Sequence, residues 1–159
     1  IQNSKLTMNT TTRKAPSIEE FKTVLKKHSL KATPQRLAVH EAMLSLGHAC
    51  ADMVSEFILE KGNAKVTTAS VYNILAQLAL LGIYQHRMSS NIKMYFDVNN
   101  FKHMHLYDSV NHTFKDVIDE ELIAAIDARL SHKRFKGYKV EGFDVQIVCR
   151  PTRKKLAAL

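Results

Sequence analysis

Between Ile18 and Gly82 the apolar residues recur at helical spacing in four short runs, and the pattern then switches at once to two extended stretches. That order, helices followed directly by a ribbon, restricts the fold more than any other feature of the chain. In the first run Ile18, Phe21, Val24 and Leu25 share one face, and Lys22, Lys26 and Lys27 the other. Thr33 before Pro34 reads as a cap with proline at the first helical position, which opens a second helix sending Leu37, Met43 and Leu44 to a core until Gly47 stops it. A third run from Ala51 buries some of Met53, Val54, Phe57 and Ile58 and ends at Gly62. Thr67 or Thr68 caps a fourth, Ala69 to Leu81, with Val71, Leu75 and Leu78 as its stripe and Gly82 as its close. His48 falls at the start of the third run. Ile83 to Arg87 and Ile92 to Val98 then read as two strands joined by a Met88-Ser89-Ser90-Asn91 turn. Helices followed by a two-stranded ribbon predict a winged helix-turn-helix.

The second half changes class. His103 to Val110 and Thr113 to Ile118 read as strands, Leu122, Ile123, Ile126 and Leu130 mark a helix, and Tyr138 to Cys149 reads as a closing strand. The expected fold is therefore α+β: a winged-helix DNA-binding domain at 18–98, a hinge at 99–100, and a small α/β dimerisation and metal-sensing domain at 101–150. Residues 1–17 are expected to be a disordered tail, with Met8 as the natural start and Ile1 to Thr7 left over from expression, and residues 151–159 a basic tail. A unit of about 50 residues with one helix has little core of its own, so a homodimer is expected.

Charge says which half meets a polyanion. The 159 residues hold 23 Lys+Arg against 15 Asp+Glu, net +8. Residues 1–96 hold 12 basic and 6 acidic side chains, whereas residues 97–149 hold 7 and 9, and four more cations follow from Arg150. The basic half is thus the half that reads as a helix-turn-helix. No run approaches the roughly 18 apolar residues of a membrane span, and the polar start lacks a secretory signal, so a cytoplasmic protein without a membrane partner is expected. Cys50 and Cys149 are the only cysteines, which excludes a disulfide framework and any Cys-x-x-Cys pair. With five glycines, no phosphate-cradling loop and no His-Glu-x-x-His helix, the chain does not read as an enzyme. The rival from that class is a metalloenzyme using His103 and His105 around an open coordination position.

In a helix-turn-helix the second helix enters the major groove and its first residues reach base edges, while its neighbours hold phosphates. Thr68, Ser70, Tyr72 and Asn73 open the fourth run and can bond bases or phosphates; asparagine can pair with adenine through two bonds. Lys14, Lys31 and Arg36 are placed to hold the backbone of a double-stranded DNA operator, with Lys65, Arg87 and Lys93 at the flanks. The plainer reading leaves Tyr72 and Arg36 as solvated helix residues.

Thr33-Pro34-Gln35-Arg36, Ala69-Ser70-Val71-Tyr72, Leu80-Leu81-Gly82-Ile83 and Tyr95-Phe96-Asp97 leading to His103-Met104-His105-Leu106 together resemble the ferric uptake regulator family. The likeness runs from Ile18 to about Cys149. It implies a dimeric, metal-responsive bacterial repressor that binds an inverted-repeat operator, a peroxide- or haem-responsive regulator of the same fold being the alternative. The chain departs from the family where two Cys-x-x-Cys pairs usually hold a structural zinc: the first pair's positions are Asp108 and Asn111, and Cys149 does not fall on a family cysteine. That zinc site is expected to be absent. Asn73 stands where many members have arginine, so the operator is expected to differ.

His103 and His105 lie two apart in a predicted strand and point to one face, where two imidazoles can share one ion or stand solvated side by side. The resemblance adds His48, Asp97 and Asp116 to this set. It implies one divalent ion per subunit held by His48, Asp97, His103, His105 and Asp116, with Zn²⁺, Fe²⁺ and Mn²⁺ all compatible with imidazole and carboxylate donors. The family's other carboxylate-rich site would fall on Lys102, Met104, Ile123 and Phe143, which cannot ligate, and Glu120 and Glu121 are read as helix-start acids. Cys50, two residues from His48, is read as a small buried hydrophobe, with a thiolate ligand or an oxidation sensor as the other options.

Overall fold

The computed structural model describes residues 15–89, 92–99 and 102–153, and these fall into two compact units, one within Arg13–Phe101 and one from Lys102 onward. Lys14, Asn100, the Ser90-Asn91 turn tip and most of both expected tails lie outside the described residues.

The first unit is built as its caps dictate. In α1 (Ile18–Lys27) Ser17 and Glu20 form a reciprocal capping box, and in α2 (Pro34–Leu46) the Thr33 hydroxyl accepts from the Arg36 N–H with Pro34 at the first turn. Gly47, at φ 72°, ends α2 and turns the chain into β1 (His48–Ala49). Then follow α3 (Ala51–Lys61), α4 (Thr68–Leu80, capped by Thr67), β2 (Gln85–Met88) and β3 (Met94–Asp97). Phe21, Leu25, Val39, Met43, Val54, Ile58, Val71, Leu75 and Leu78 have no exposed surface and form one core under the helices. Leu44, expected in it, is 38% exposed; Ala38, Val39, His40, Ala42 and Met43 are the buried face of α2 instead.

The wing has three strands, in the antiparallel order β1-β3-β2. His48 therefore sits in a strand rather than at a helix start. A two-residue strand leaves no periodicity to read, so the ribbon looks two-stranded in the sequence.

The second unit contains β4 (Met104–Asp108), β5 (Thr113–Val117), α5 (Glu120–Ser131) and β6 (Gln146–Cys149), with sheet order β5-β4-β6 and β6 parallel to β4. The closing strand is shorter than the alternation predicts. β4 offers only five residues, and the ladder pairs His105 to Asp108 with Gln146 to Cys149, with the Val145 carbonyl accepting from the His105 N–H at 3.0 Å, so Tyr138 to Asp144 lies outside the pairing with β4. Met104, Tyr107, Phe114 and Ile123 are buried, whereas Leu122, Val140, Ile147 and Val148 are exposed. Among the described residues of this unit, more large apolar side chains are exposed than buried. Among the described residues no helix is long and apolar enough to cross a membrane.

Candidate metal centre and DNA-reading helix

α4 starts with a full capping box. The Thr67 hydroxyl accepts from the Ser70 N–H at 3.1 Å, and the Ser70 hydroxyl accepts from the Thr67 N–H at 3.0 Å and donates to the Thr67 carbonyl at 2.8 Å. Ser70 is thus half-buried and its hydroxyl is engaged in the cap, so it is less open to solvent than the sequence reading has it. Thr68, Tyr72 and Asn73 are exposed. The Tyr72 ring meets Phe96 of β3 edge-on at 6.1 Å between centroids, so its direction is set by packing against the wing while 44% of the residue stays open to solvent. Lys31 and Lys65 are exposed on the approach to this helix.

Three cations differ from their reading in the sequence. Arg87 is 8% exposed, so it is no part of the outward basic surface. Lys93 pairs with Asp52 at 3.1 Å, and that carboxylate raises the ammonium pKa. Arg36 is half-buried and directs Nη1 to the Lys31 carbonyl at 2.8 Å and Nη2 to the Gln77 Oε1 at 3.1 Å.

Each unit brings an aspartate opposite a histidine on adjacent strands. In the first, β1 pairs His48 with Asp97 of β3, which sets His48 Nδ1 3.5 Å from Asp97 Oδ2. Asp97 is 1% exposed, and its other oxygen accepts from the Asn99 N–H at 2.9 Å. In the second, β4 pairs His105 with Asp116 of β5, and Asp116 Oδ1 lies 3.7 Å from His105 Nε2 and 3.1 Å from His103 Nε2. The His103 and His105 rings stand 4.4 Å apart, with His103 just before β4 rather than inside it. Both imidazoles are buried while Asp116 keeps 24% of its side chain exposed.

These arrangements fit a divalent ion. Donors about 2.1 Å from one metal stand about 3.0–3.4 Å from each other in octahedral or tetrahedral geometry, and the pairs above lie in or just beyond that range. Buried imidazole and carboxylate without thiolate suits zinc, iron(II) or manganese(II). One further group escaped the sequence reading: Asp144 Oδ1 is 3.8 Å from the other ring nitrogen of His105. The signal for it was the parallel pairing of His105 with Gln146, which brings the residues just before β6 alongside. At that distance the carboxylate is an electrostatic neighbour of the ring, beyond hydrogen-bond reach.

The remaining candidate positions have other roles. The Asp108 carboxylate accepts from the N–H groups of Val110 and Asn111 and from Asn111 Nδ2, which lowers its pKa and closes the β4–β5 turn. Met104 and Ile123 are core residues, and the Lys102 ammonium pairs with Asp127 and lies 4.4 Å over the Phe143 ring. Cys50 is buried at the start of α3, and Cys149 is half-buried in β6.

Comparison with curated proteins finds no match. Among solved structures, the Vibrio cholerae ferric uptake regulator superposes with TM-score 0.66 at 20% identity, over 82% of this chain and 99% of that one. The Helicobacter pylori ferric uptake regulator, described as having three functional metal binding sites, gives 0.67 at 17% over 88% and 95%. The Campylobacter jejuni peroxide stress regulator gives 0.58 at 25% over 83% and 96%. The family model for ferric uptake regulators matches residues 27–147. Its members are transcriptional regulators rather than enzymes, and the chain belongs to the ferric uptake regulator family.

Proposed function

We propose that the protein is a cytoplasmic, dimeric regulator that binds an inverted-repeat DNA operator, and that His48, Asp97, His103, His105 and Asp116 hold one divalent transition ion per subunit, zinc, iron(II) or manganese(II). The observation that carries this reading is the repeated cross-strand pairing of a histidine with an aspartate, one pair in each unit. Bound there, an ion supplies a positive charge that satisfies the carboxylates and, by drawing ligands from both units, restrains their relative orientation. In this reading Thr68, Tyr72 and Asn73 face bases, Ser70 fixes the helix start, and Lys14, Lys31 and Lys65 meet phosphates.

The exposed apolar residues of the second unit support dimerisation, because Leu122, Val140, Ile147 and Val148 would be covered by a second copy. Two reader helices related by a two-fold axis enter successive major grooves, which makes the operator an inverted repeat. Selection from random duplex DNA by metal-loaded protein tests the reading. It is expected to recover a two-fold symmetric site bound by two protomers. Recovery of an unsymmetric site by a monomer would contradict it.

A further inference from the structure

Arg36 has the position of a phosphate contact and the bonding of an internal brace. Its guanidinium sends one N–H to the Lys31 carbonyl at 2.8 Å, in the segment between α1 and α2, and another to Gln77 Oε1 at 3.1 Å, on the reader helix 41 residues away. Its own backbone N–H is held by the Thr33 hydroxyl at 3.3 Å, and its Nε is buried with no hydrogen-bond partner among the described residues. We propose that Arg36 is a positioning residue that fixes α4 against α2 through Gln77, and that it touches no DNA phosphate.

This inference rests on the DNA-binding reading above and specifies how that surface is held in shape. Gln77 lies one turn beyond Asn73 and two turns beyond Ser70, so a restraint on Gln77 sets the rotation and axial position at which Asn73 meets the groove. The guanidinium is suited to this because its N–H groups diverge in one rigid plane and can reach two acceptors on different elements at once. A lysine keeps the charge but its single ammonium, on a flexible stem, cannot hold that planar bridge. The bond to the Lys31 carbonyl has a second effect. It pins the backbone of a residue whose own ammonium is exposed, so one side chain sets the stations of both a phosphate-facing lysine and the base-reading helix.

The charge-retaining variant separates brace from phosphate contact. Binding is measured with the metal-loaded full chain, using a duplex recovered by the parent from a random library and a shuffled duplex of the same composition, over a range of salt. Arg36→Lys and Gln77→Leu are each expected to weaken recovered-duplex binding by about tenfold, the value of a charge-assisted hydrogen bond, and to narrow the preference over shuffled DNA. Both should leave the slope of log K against log salt at its parental value. The double variant is expected to be no worse than Arg36→Lys alone, because the Arg36–Gln77 bond that Gln77→Leu removes is already lost in it. The proposal is overturned if Arg36→Lys binds like the parent while Arg36→Met lowers the salt slope by about 0.9, the signature of one lost phosphate contact, or if the two single effects add. Failure of the parent to prefer any duplex would instead overturn the DNA-binding reading and this inference with it.

Discussion

Replacing His40 with phenylalanine should destabilise the first unit by about 2–4 kcal/mol at pH 7 and by less as the pH falls. His40 has no exposed surface, stacks on Phe21 with centroids 3.9 Å apart, and bonds at both ring nitrogens. Nε2 lies 2.6 Å from the Pro16 carbonyl, which can only accept, so Nε2 carries the proton; Nδ1, 2.6 Å from the Tyr84 hydroxyl, then accepts from it. Burial pushes the Tyr84 pKa up, so that hydroxyl stays protonated. His40→Phe preserves the stacking ring and leaves the Tyr84 hydroxyl and the Pro16 carbonyl without their partner, at about 1–3 kcal/mol per buried group, less for the partly exposed carbonyl. The position matters because Tyr84 occupies the joint between α4 and β2.

The pH dependence follows from the direction of the His40 shift. Burial lowers its pKa, and the bond to Pro16 only partly opposes this. Below pH 6.5 the unfolded chain therefore takes up a proton that the folded chain refuses, and the stability due to neutral His40 is full above 6.5 and lost as pH falls toward the folded-state pKa. The loss approaches about 1.4 kcal/mol per pH unit in that interval. A phenylalanine side chain does not titrate, so the gap between parent and variant should narrow. Urea unfolding followed by far-ultraviolet circular dichroism at pH values of about 7.5, 6.5 and 5.5, with chelator present, measures it, and the other histidines cancel in the difference. A gap that is absent at the highest pH, or that widens on acidification, would refute the tautomer and the burial argument together.

Two further outcomes follow from the site. Asp116→Asn and His105→Ala should each weaken divalent-ion binding at least about tenfold while the protein still sediments as a dimer; unchanged affinity and stoichiometry by calorimetry would remove the second unit from the metal site. Lys31→Ala should lower the DNA salt slope by about 0.9 without altering sequence preference, whereas Tyr72→Ala should blur the preference. If the two variants exchanged these effects, the assignment of phosphate and base contacts would be reversed.

Much of the first unit was legible because its signals are local. Thr33-Pro34, Thr67, Gly47 and Gly62 punctuate the helices by capping chemistry that operates within one turn, and Val71, Leu75 and Leu78 mark the α4 core stripe directly. What escaped depends on contacts between distant residues. β1 exists because Gly47 redirects two residues onto β3, and no pattern two residues long is readable. Arg36 reads as a surface cation until Gln77 is brought to it. His40 lies on the buried face of α2, where a count of apolar residues alone overlooks it. In the second unit, the alternation from Val140 to Val148 suggested a long strand, but strand length was limited by the partner rather than by propensity. His103 and His105 were legible as a pair sharing one face. Asp116 and Asp97 were named only through the family likeness, and the strand registers supply the physical reason they stand near histidines.

Coupling between ion binding and DNA binding is measured most directly by a metal titration of the full chain with and without the selected operator duplex. If one ion draws ligands from both units, it favours the arrangement that reads the operator. A tenfold tightening of DNA by metal, about 1.4 kcal/mol per site, then requires DNA to tighten metal by the same factor. The metal isotherm is expected to move to lower free concentration by about tenfold when operator is present, and Asp116→Asn is expected to abolish the shift. Superimposable isotherms for the parent with and without operator would contradict the coupling and leave the ion a structural component with no part in regulation.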